Sequence, residues 1–244
     1  LHSPMLLLDM DKAVARIERA LADKEKIVIY GDYDVDGVTS VSILYLYLSA
    51  MGADVSYYIP NRMGEGYGMS ESSVDHLIDE GANLIVTVDT GITANSEVAH
   101  ALSRGTDVVV TDHHELPEVL PDCVIVNPKL KDDYPYDNLC GAGVAFKLAC
   151  ALIGDAAYKY LDFATLATVA DSVPLLGENR DIVTEGLKRF NTHMRPCFSM
   201  LIGKNYDSVT AQTLAFNVAP RVNAAGRMGD AQSAFRLFIA EKDT

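Results

Sequence analysis

Basic residues are scarce: 20 lysines and arginines stand against 34 aspartates and glutamates, a formal net charge of −14 over 244 residues. Phosphate binding normally shows as a basic surface. This balance therefore argues against a nucleic-acid partner unless the acid is gathered where cations bind. Cysteine is sparse too. Cys123, Cys140, Cys150 and Cys197 share no CxxC or other short metal spacing and do not read as a disulfide framework in so long a chain, so reduced structural thiols are expected. No apolar run approaches the roughly 18–20 residues of a membrane span, and no charged-apolar-small leader opens the chain. Low-complexity tracts are absent as well. These absences leave a soluble, cytoplasmic protein with no membrane partner and enough length for a substantial core.

What is present is an alternation. Short β-branched runs at 26–30, 54–59, 84–88, 107–111 and 123–126 read as strands, separated by helical patterns at 38–51, 71–80 and 94–104. Asp9 is a candidate cap for a preceding helix with Val14, Ile17 and Leu21 on its apolar face, ending near Lys24. After Gly141 the strand signal stops, and helices are expected at 144–153, 158–170, 182–191, 209–217 and 231–242. The fold class is α/β: a parallel sheet flanked by helices in the N-terminal half, followed by a helical C-terminal half.

Ligands of open parallel sheets collect beyond the carboxyl ends of the strands. Three strands here end on acid: Gly31-Asp32-Tyr33-Asp34-Val35-Asp36-Gly37, then Val88-Asp89-Thr90-Gly91, then Thr111-Asp112-His113-His114. Any one of these aspartates serves equally well as a turn residue or helix cap. Their joint placement at neighbouring strand ends does not, because crowded carboxylates cannot all stay ionised without compensating charge. Divalent cations supply it, and oxygen ligands with an imidazole suit Mn²⁺ or Mg²⁺ better than a thiolate zinc site. An EF-hand reading of DxDxDG fails, since the twelfth loop position, which requires Glu, is Ile43. His113 and His114 are adjacent, so in an extended segment their side chains point apart, one suited to metal and one to substrate. Gly141-Ala142-Gly143 before an apolar helix either offers free N–H groups to a phosphate or permits close packing. Arg62, Arg221 and Arg227, with Asn223 in an apparent Asn-Ala-Ala-Gly turn, are candidate phosphate or base contacts.

The ordered segments YGDYDVDG, VDTG, TDHH, CGAGVAF and ATVAD resemble the motifs of the DHH phosphoesterase superfamily. IPNRMGEGYG and APRVNAAGR are similar to its RecJ-like branch of single-stranded-DNA-specific exonucleases. The resemblance implies two Mn²⁺ or Mg²⁺ ions held by Asp34, Asp36, Asp89, His113 and Asp171. Asp89 would bridge them, Asp32 would lie beside them, and His114 would face the scissile phosphate. Asp171, which could otherwise simply end a helix, enters only through this resemblance. The pyrophosphatases of the superfamily begin this segment with a metal-binding histidine; Tyr30 and Asp32 flank its start here, which favours the nuclease branch. Implied with it are metal-assisted 5′-to-3′ hydrolysis of single-stranded DNA to mononucleotides in repair and recombination, with helicase or single-strand-binding partners. Short-oligonucleotide or cyclic-dinucleotide phosphodiesterase activity is the alternative enzyme, and a non-catalytic scaffold the alternative class. The catalytic domain is expected over 1–228 (α/β core about 26–130, helical part about 141–228), with 229–244 opening a helix toward a further domain. The basic surface of that domain would account for the acidity of this chain and for weak strand binding without it.

Overall fold

Five short apolar runs become one parallel sheet in the computed structural model, which describes residues 1–61, 68–130, 133–203 and 207–240. Its strands are β1 (Ile27–Tyr30), β2 (Val55–Tyr58), β3 (Leu84–Val88), β4 (Asp107–Thr111) and β5 (Val124–Val126). They lie in the order β2-β1-β3-β4-β5, every pair parallel. The chain steps outward from β1 to β2, then returns past β1 to β3. That change of direction opens a crevice beyond the carboxyl ends of β1 and β3.

Both sheet faces are covered, which is why the strands read as unbroken apolar runs. Ile27 and Ile29 point into one core, and Val28 and Tyr30 into the other. The first core is filled by α1 (Met10–Asp23), α2 (Val35–Ala50) and the helical C-terminal half; the second by α3 (Glu71–Asp79) and α4 (Asn95–Ser103). Asp9 precedes α1 in a left-handed conformation, but its side chain caps nothing and instead meets Lys12 at 2.6 Å. The expected side-chain cap is absent because the residue's backbone turns the wrong way for it.

Two helices begin three residues before their apolar patterns do. At α2 the Asp34 side chain accepts from Gly37 N at 3.0 Å, adding Val35, Asp36 and Gly37 as a first turn. At α5 (Gly141–Ile153) the Cys140 sulfur accepts from Gly143 N at 3.4 Å. Then follow α6 (Leu161–Ala170), α7 (Gly177–Thr192) and α8 (Pro196–Ile202), the last unanticipated. Residues 211–227 form one helical run: α9 (Ala211–Thr213), a π-helical segment Leu214–Val218 and α10 (Ala219–Arg227). The Asn-Ala-Ala-Gly stretch expected as a turn is thus helical. Pro220 has no N–H for the Phe216 carbonyl, and the wider π turn accommodates that lost bond. The final helix, α11 (Ala231–Ile239), folds back so that Phe235 is buried against Tyr45 and Tyr57.

α5 and α6 pack on α2, so the two halves share one core. Behind α5, Lys147 pairs with Glu178 of α7, each about 1% exposed, and Glu178 also accepts from Tyr134 OH and from His2 N. By length and composition, 141–170 is the one described helical stretch able to cross a membrane; more than half of its most apolar window is buried inside the protein, as in a core helix.

Candidate metal centre

The acids at the strand ends converge. Asp32 follows β1 and is buried, one oxygen accepting from Tyr33 N at 2.7 Å. Gly37 lies against its backbone, where a Cβ would come within 2.5 Å of the Asp32 carbonyl carbon, so only glycine fits. Asp36, in the first turn of α2, directs its two oxygens at the amino end of α5 and accepts from Gly141 N and Ala142 N, each at 2.6 Å. Asp89 follows β3 with φ +58°, a conformation few side chains tolerate, and is 2% exposed. Its Oδ1 lies 3.1 Å from His113 Nε2 yet accepts no hydrogen bond from any described residue. The same His113 nitrogen is 3.6 Å from Asp36 and 3.9 Å from Asp171, the residue that ends α6.

Three overlapping sets result, each with its donor atoms within 4.8 Å of one another: Asp32–Asp34–Asp89, Asp36–His113–Asp171 and Asp89–His113–His114. Burial lifts Asp32 to about 7, with Asp34 as the next cause. Burial also raises Asp36 to about 6, against the pull of His113, and pushes Asp89 well above the usual carboxylate range with Asp36 and Asp34 reinforcing it. The cluster holds more negative charge than its surroundings compensate. Buried oxygens, one of them orphaned, together with an imidazole form the donor set of a hard divalent cation, so the residues present fit such ions.

Asp112, at the end of β4, plays a part that sequence reasoning missed. Burial opposes its ionisation, but the hydrogen bond from His114 and those from backbone N–H groups hold its carboxyl below the usual range. It accepts from Ile92 N at 2.9 Å, His113 N at 2.7 Å, His114 N at 3.2 Å and His114 Nδ1 at 2.7 Å. The His114 tautomer is thereby set, because a carboxylate only accepts. The same bond raises the His114 pKa. A third acid at a strand end was visible in the sequence; its inward turn was not.

Two geometric expectations are corrected. The rings of His113 and His114 do not diverge: their centroids are 4.5 Å apart, because Asp112 curls the segment after β4 and draws His114 back. The N–H groups of Gly141 and Gly143 are not free for phosphate either, one being committed to Asp36 and the other to the Cys140 sulfur. Close packing explains Gly141, where a Cβ would sit 2.5 Å from Asp89. Asn223 Oδ1 accepts from Val35 N at 3.1 Å, and the residue shares a small cleft with Asp34, Asp36 and Asp171. Arg221 donates to the Leu201 carbonyl, and Arg227 is exposed on the last turn of α10. Arg62 lies outside the described residues.

Residues 26–170 match the sequence profile described as the DHH family, N-terminal domain. The single-stranded-DNA-specific exonuclease RecJ of Bacillus subtilis (strain 168) is 44% identical over 245 residues, covering 98% of this chain and 31% of that protein. A crystal structure of exonuclease RecJ bound to manganese superposes with a TM-score of 0.88 at 39% identity, covering 98% of this chain and 63% of the other. That of RecJ from Thermus thermophilus in complex with Mg²⁺ gives 0.72 at 34% identity, over 97% and 32%. The chain therefore spans about a third of the Bacillus relative's length.

Proposed function

Because the chain belongs to the DHH family, we propose that its residues 1–228 are the catalytic domain of a RecJ-type exonuclease that hydrolyses single-stranded DNA from 5′ to 3′ and releases mononucleotides in repair and recombination. The observation that carries this reading is the convergence of Asp32, Asp34, Asp36, Asp89, His113 and Asp171 into overlapping donor sets around a carboxylate oxygen that no described residue satisfies. Two Mn²⁺ or Mg²⁺ ions held there would activate water as the nucleophile and offset the charge building on the phosphate.

The chain's own residues do the rest. Asp89 belongs to two of the three sets, which suits it to bridge. Asp36 cannot swing away, since two α5 N–H groups grip its oxygens. His114, with its pKa raised by Asp112, carries the proton that a non-bridging phosphate oxygen accepts. No thiol competes as nucleophile: burial pushes the nearby Cys140 well above its ordinary range. Arg62, Asn223 and Arg227 are our choices for strand contacts. The four free thiols fit a cytoplasmic location, and helicases or single-strand-binding proteins are the partners we propose.

Mn²⁺-stimulated release of mononucleotides from a 5′-phosphorylated single strand should vanish in Asp89→Ala. Full activity of that variant in chelator-treated buffer refutes the centre. Faster turnover of a cyclic dinucleotide than of the single strand would move the protein to another branch of the family. Absence of Mn²⁺ binding by calorimetry would make it a scaffold.

A further inference from the structure

Asp32, Asp34 and Asp36 each have a carboxylate oxygen fixed by a backbone N–H, from Tyr33, Gly37 and Gly141 respectively. Asp89 differs: its Oδ1 is buried and accepts no hydrogen bond from any described residue. The aim of that oxygen is therefore set through the backbone, which stands at φ +58°. A left-handed residue that carries a side chain relaxes toward negative φ unless its neighbours hold it. Whatever fastens the peptide units around Asp89 decides where its carboxylate points.

The reversal from Val88 to Ile92 is fastened at both ends. At its far end Ile92 N donates to Asp112 at 2.9 Å. At its near end the Thr87 hydroxyl reaches across Asp89 and donates to the Thr90 carbonyl at 2.7 Å. Thr87 is itself a fixed post. It is fully buried in β3, paired with Tyr30 of β1 on one side and Val110 of β4 on the other, and its carbonyl accepts from Thr111 Oγ1 at 2.7 Å. Its β-branched side chain has little χ1 freedom. The loop folds down onto it: at Gly91, with φ +108°, a Cβ would lie 2.7 Å from Thr87 Oγ1. One buried hydrogen bond is comparable in free energy with the penalty on a left-handed residue, so this hydroxyl is enough to decide the backbone of Asp89.

We propose that Thr87 is the positioning residue for Asp89: its hydroxyl, acting through Thr90, aims the one carboxylate shared by the Asp32–Asp34–Asp89 and Asp89–His113–His114 donor sets. This rests on the metal-centre reading and deepens it. Thr87 touches no metal-binding atom; it acts by denying Asp89 the ordinary backbone that would swing its carboxylate away.

Thr87→Val keeps the shape and removes the donor, whereas Thr87→Ser keeps the donor and removes the methyl group. Thr106→Val is the control. It removes the same kind of bond, from the Thr106 hydroxyl to the Ala82 carbonyl at 2.8 Å, at the amino end of the same two strands. Calorimetric titration with Mn²⁺ is the readout, with urea denaturation of the metal-free protein alongside. T87V should bind Mn²⁺ about 10- to 100-fold more weakly than wild type, the range for groups that orient ligands. T87S should restore most of that affinity. T106V should keep it in full although its urea midpoint falls as that of T87V does. Should T87V fail to fold by circular dichroism, Thr87→Ala carries the same expectation and the same rescue by serine. Wild-type Mn²⁺ affinity in T87V, or equal weakening in T87S or T106V, overturns the positioning role and leaves the metal centre standing. No Mn²⁺ binding by wild type overturns the centre itself and this proposal with it.

Discussion

Metal-free protein should lose stability as the pH rises from about 4 to about 8, the reverse of what a fold rich in ion-paired acids does. Asp32, Asp36 and Asp89 are all held above the ordinary carboxylate value of 3.8, so across this window the native state retains protons that the unfolded chain has released. Stability depends on pH through the difference in bound protons, and falls wherever the native state binds more. The contribution is therefore fully present below 3.8 and is lost as the pH passes about 6 for Asp36 and about 7 for Asp32. At 1.36 kcal/mol per pKa unit, Asp32 alone accounts for ~4 kcal/mol and Asp36 for ~3 kcal/mol. They share neighbours and do not add, so we expect a total loss of about 3–5 kcal/mol, a large part of the 5–15 kcal/mol typical of native proteins. His114, with its raised pKa, acts in the same direction above about 6.5, whereas the lowered Asp112 acts only below 3.8. The assay is urea denaturation followed by circular dichroism at pH 5, 6, 7 and 8, on protein dialysed free of metal and again with excess Mn²⁺. The midpoint should fall with pH in the first series. In the second it should recover most at pH 8, because a cation at one hundred times its Kd adds about 2.7 kcal/mol. A metal-free midpoint that stays level or climbs between pH 5 and 8 would show that the carboxylates ionise at no cost, and the electrostatic basis of the centre would be wrong.

Asp112→Asn should lower Mn²⁺ affinity or turnover by about 10- to 100-fold while preserving the fold, the range for groups that orient ligands; wild-type kinetics in this variant would deny Asp112 that role. Gly141→Ala places a Cβ 2.5 Å from Asp89, so Mn²⁺ titration should weaken with a stability loss of about 1–3 kcal/mol. Gly186→Ala, which collides with the Thr165 side chain away from the acids, should lose stability without weakening Mn²⁺ binding. Glu178→Gln should destabilise by about 3–5 kcal/mol in urea by stranding the buried Lys147 charge, and Lys147→Met with Glu178→Leu should regain most of it; equal losses in single and double variants would contradict this.

The sheet and the acids at its ends were legible because runs of about five mostly β-branched residues bounded by turn residues are too short for helices and read as buried strands, and because carboxylates crowd at strand ends where cations compensate them. Helix starts were less so. The onset of apolar periodicity marks where packing begins, whereas Asp34 and Cys140 cap one turn earlier through local hydrogen bonds that hydrophobicity does not record. Residues 223–226 looked like a turn for a related reason. Asn and Gly there serve tertiary contacts, Asn223 to Val35 N and Gly226 against the Tyr33 carbonyl, rather than backbone reversal. The proximity of the two histidine rings depends on Asp112 folding inward, and no spacing rule encodes which way a side chain turns after a strand.

The grip of α5 on Asp36 bears on the order of assembly. Asp32, Asp34, Asp36, Asp89 and His113 all leave the ribosome before residues 141 and 142, whose N–H groups hold the Asp36 carboxylate. Until that helix arrives Asp36 is unanchored and the α2 side of the sheet lacks the later helices that cover it, although α3 and α4 can already close the other face. Completion of the α/β half therefore waits on a segment synthesised after it. An ion held by Asp36 of the first half together with Asp171 of the second would add a further link between halves that already share a core, so metal binding should stabilise both together.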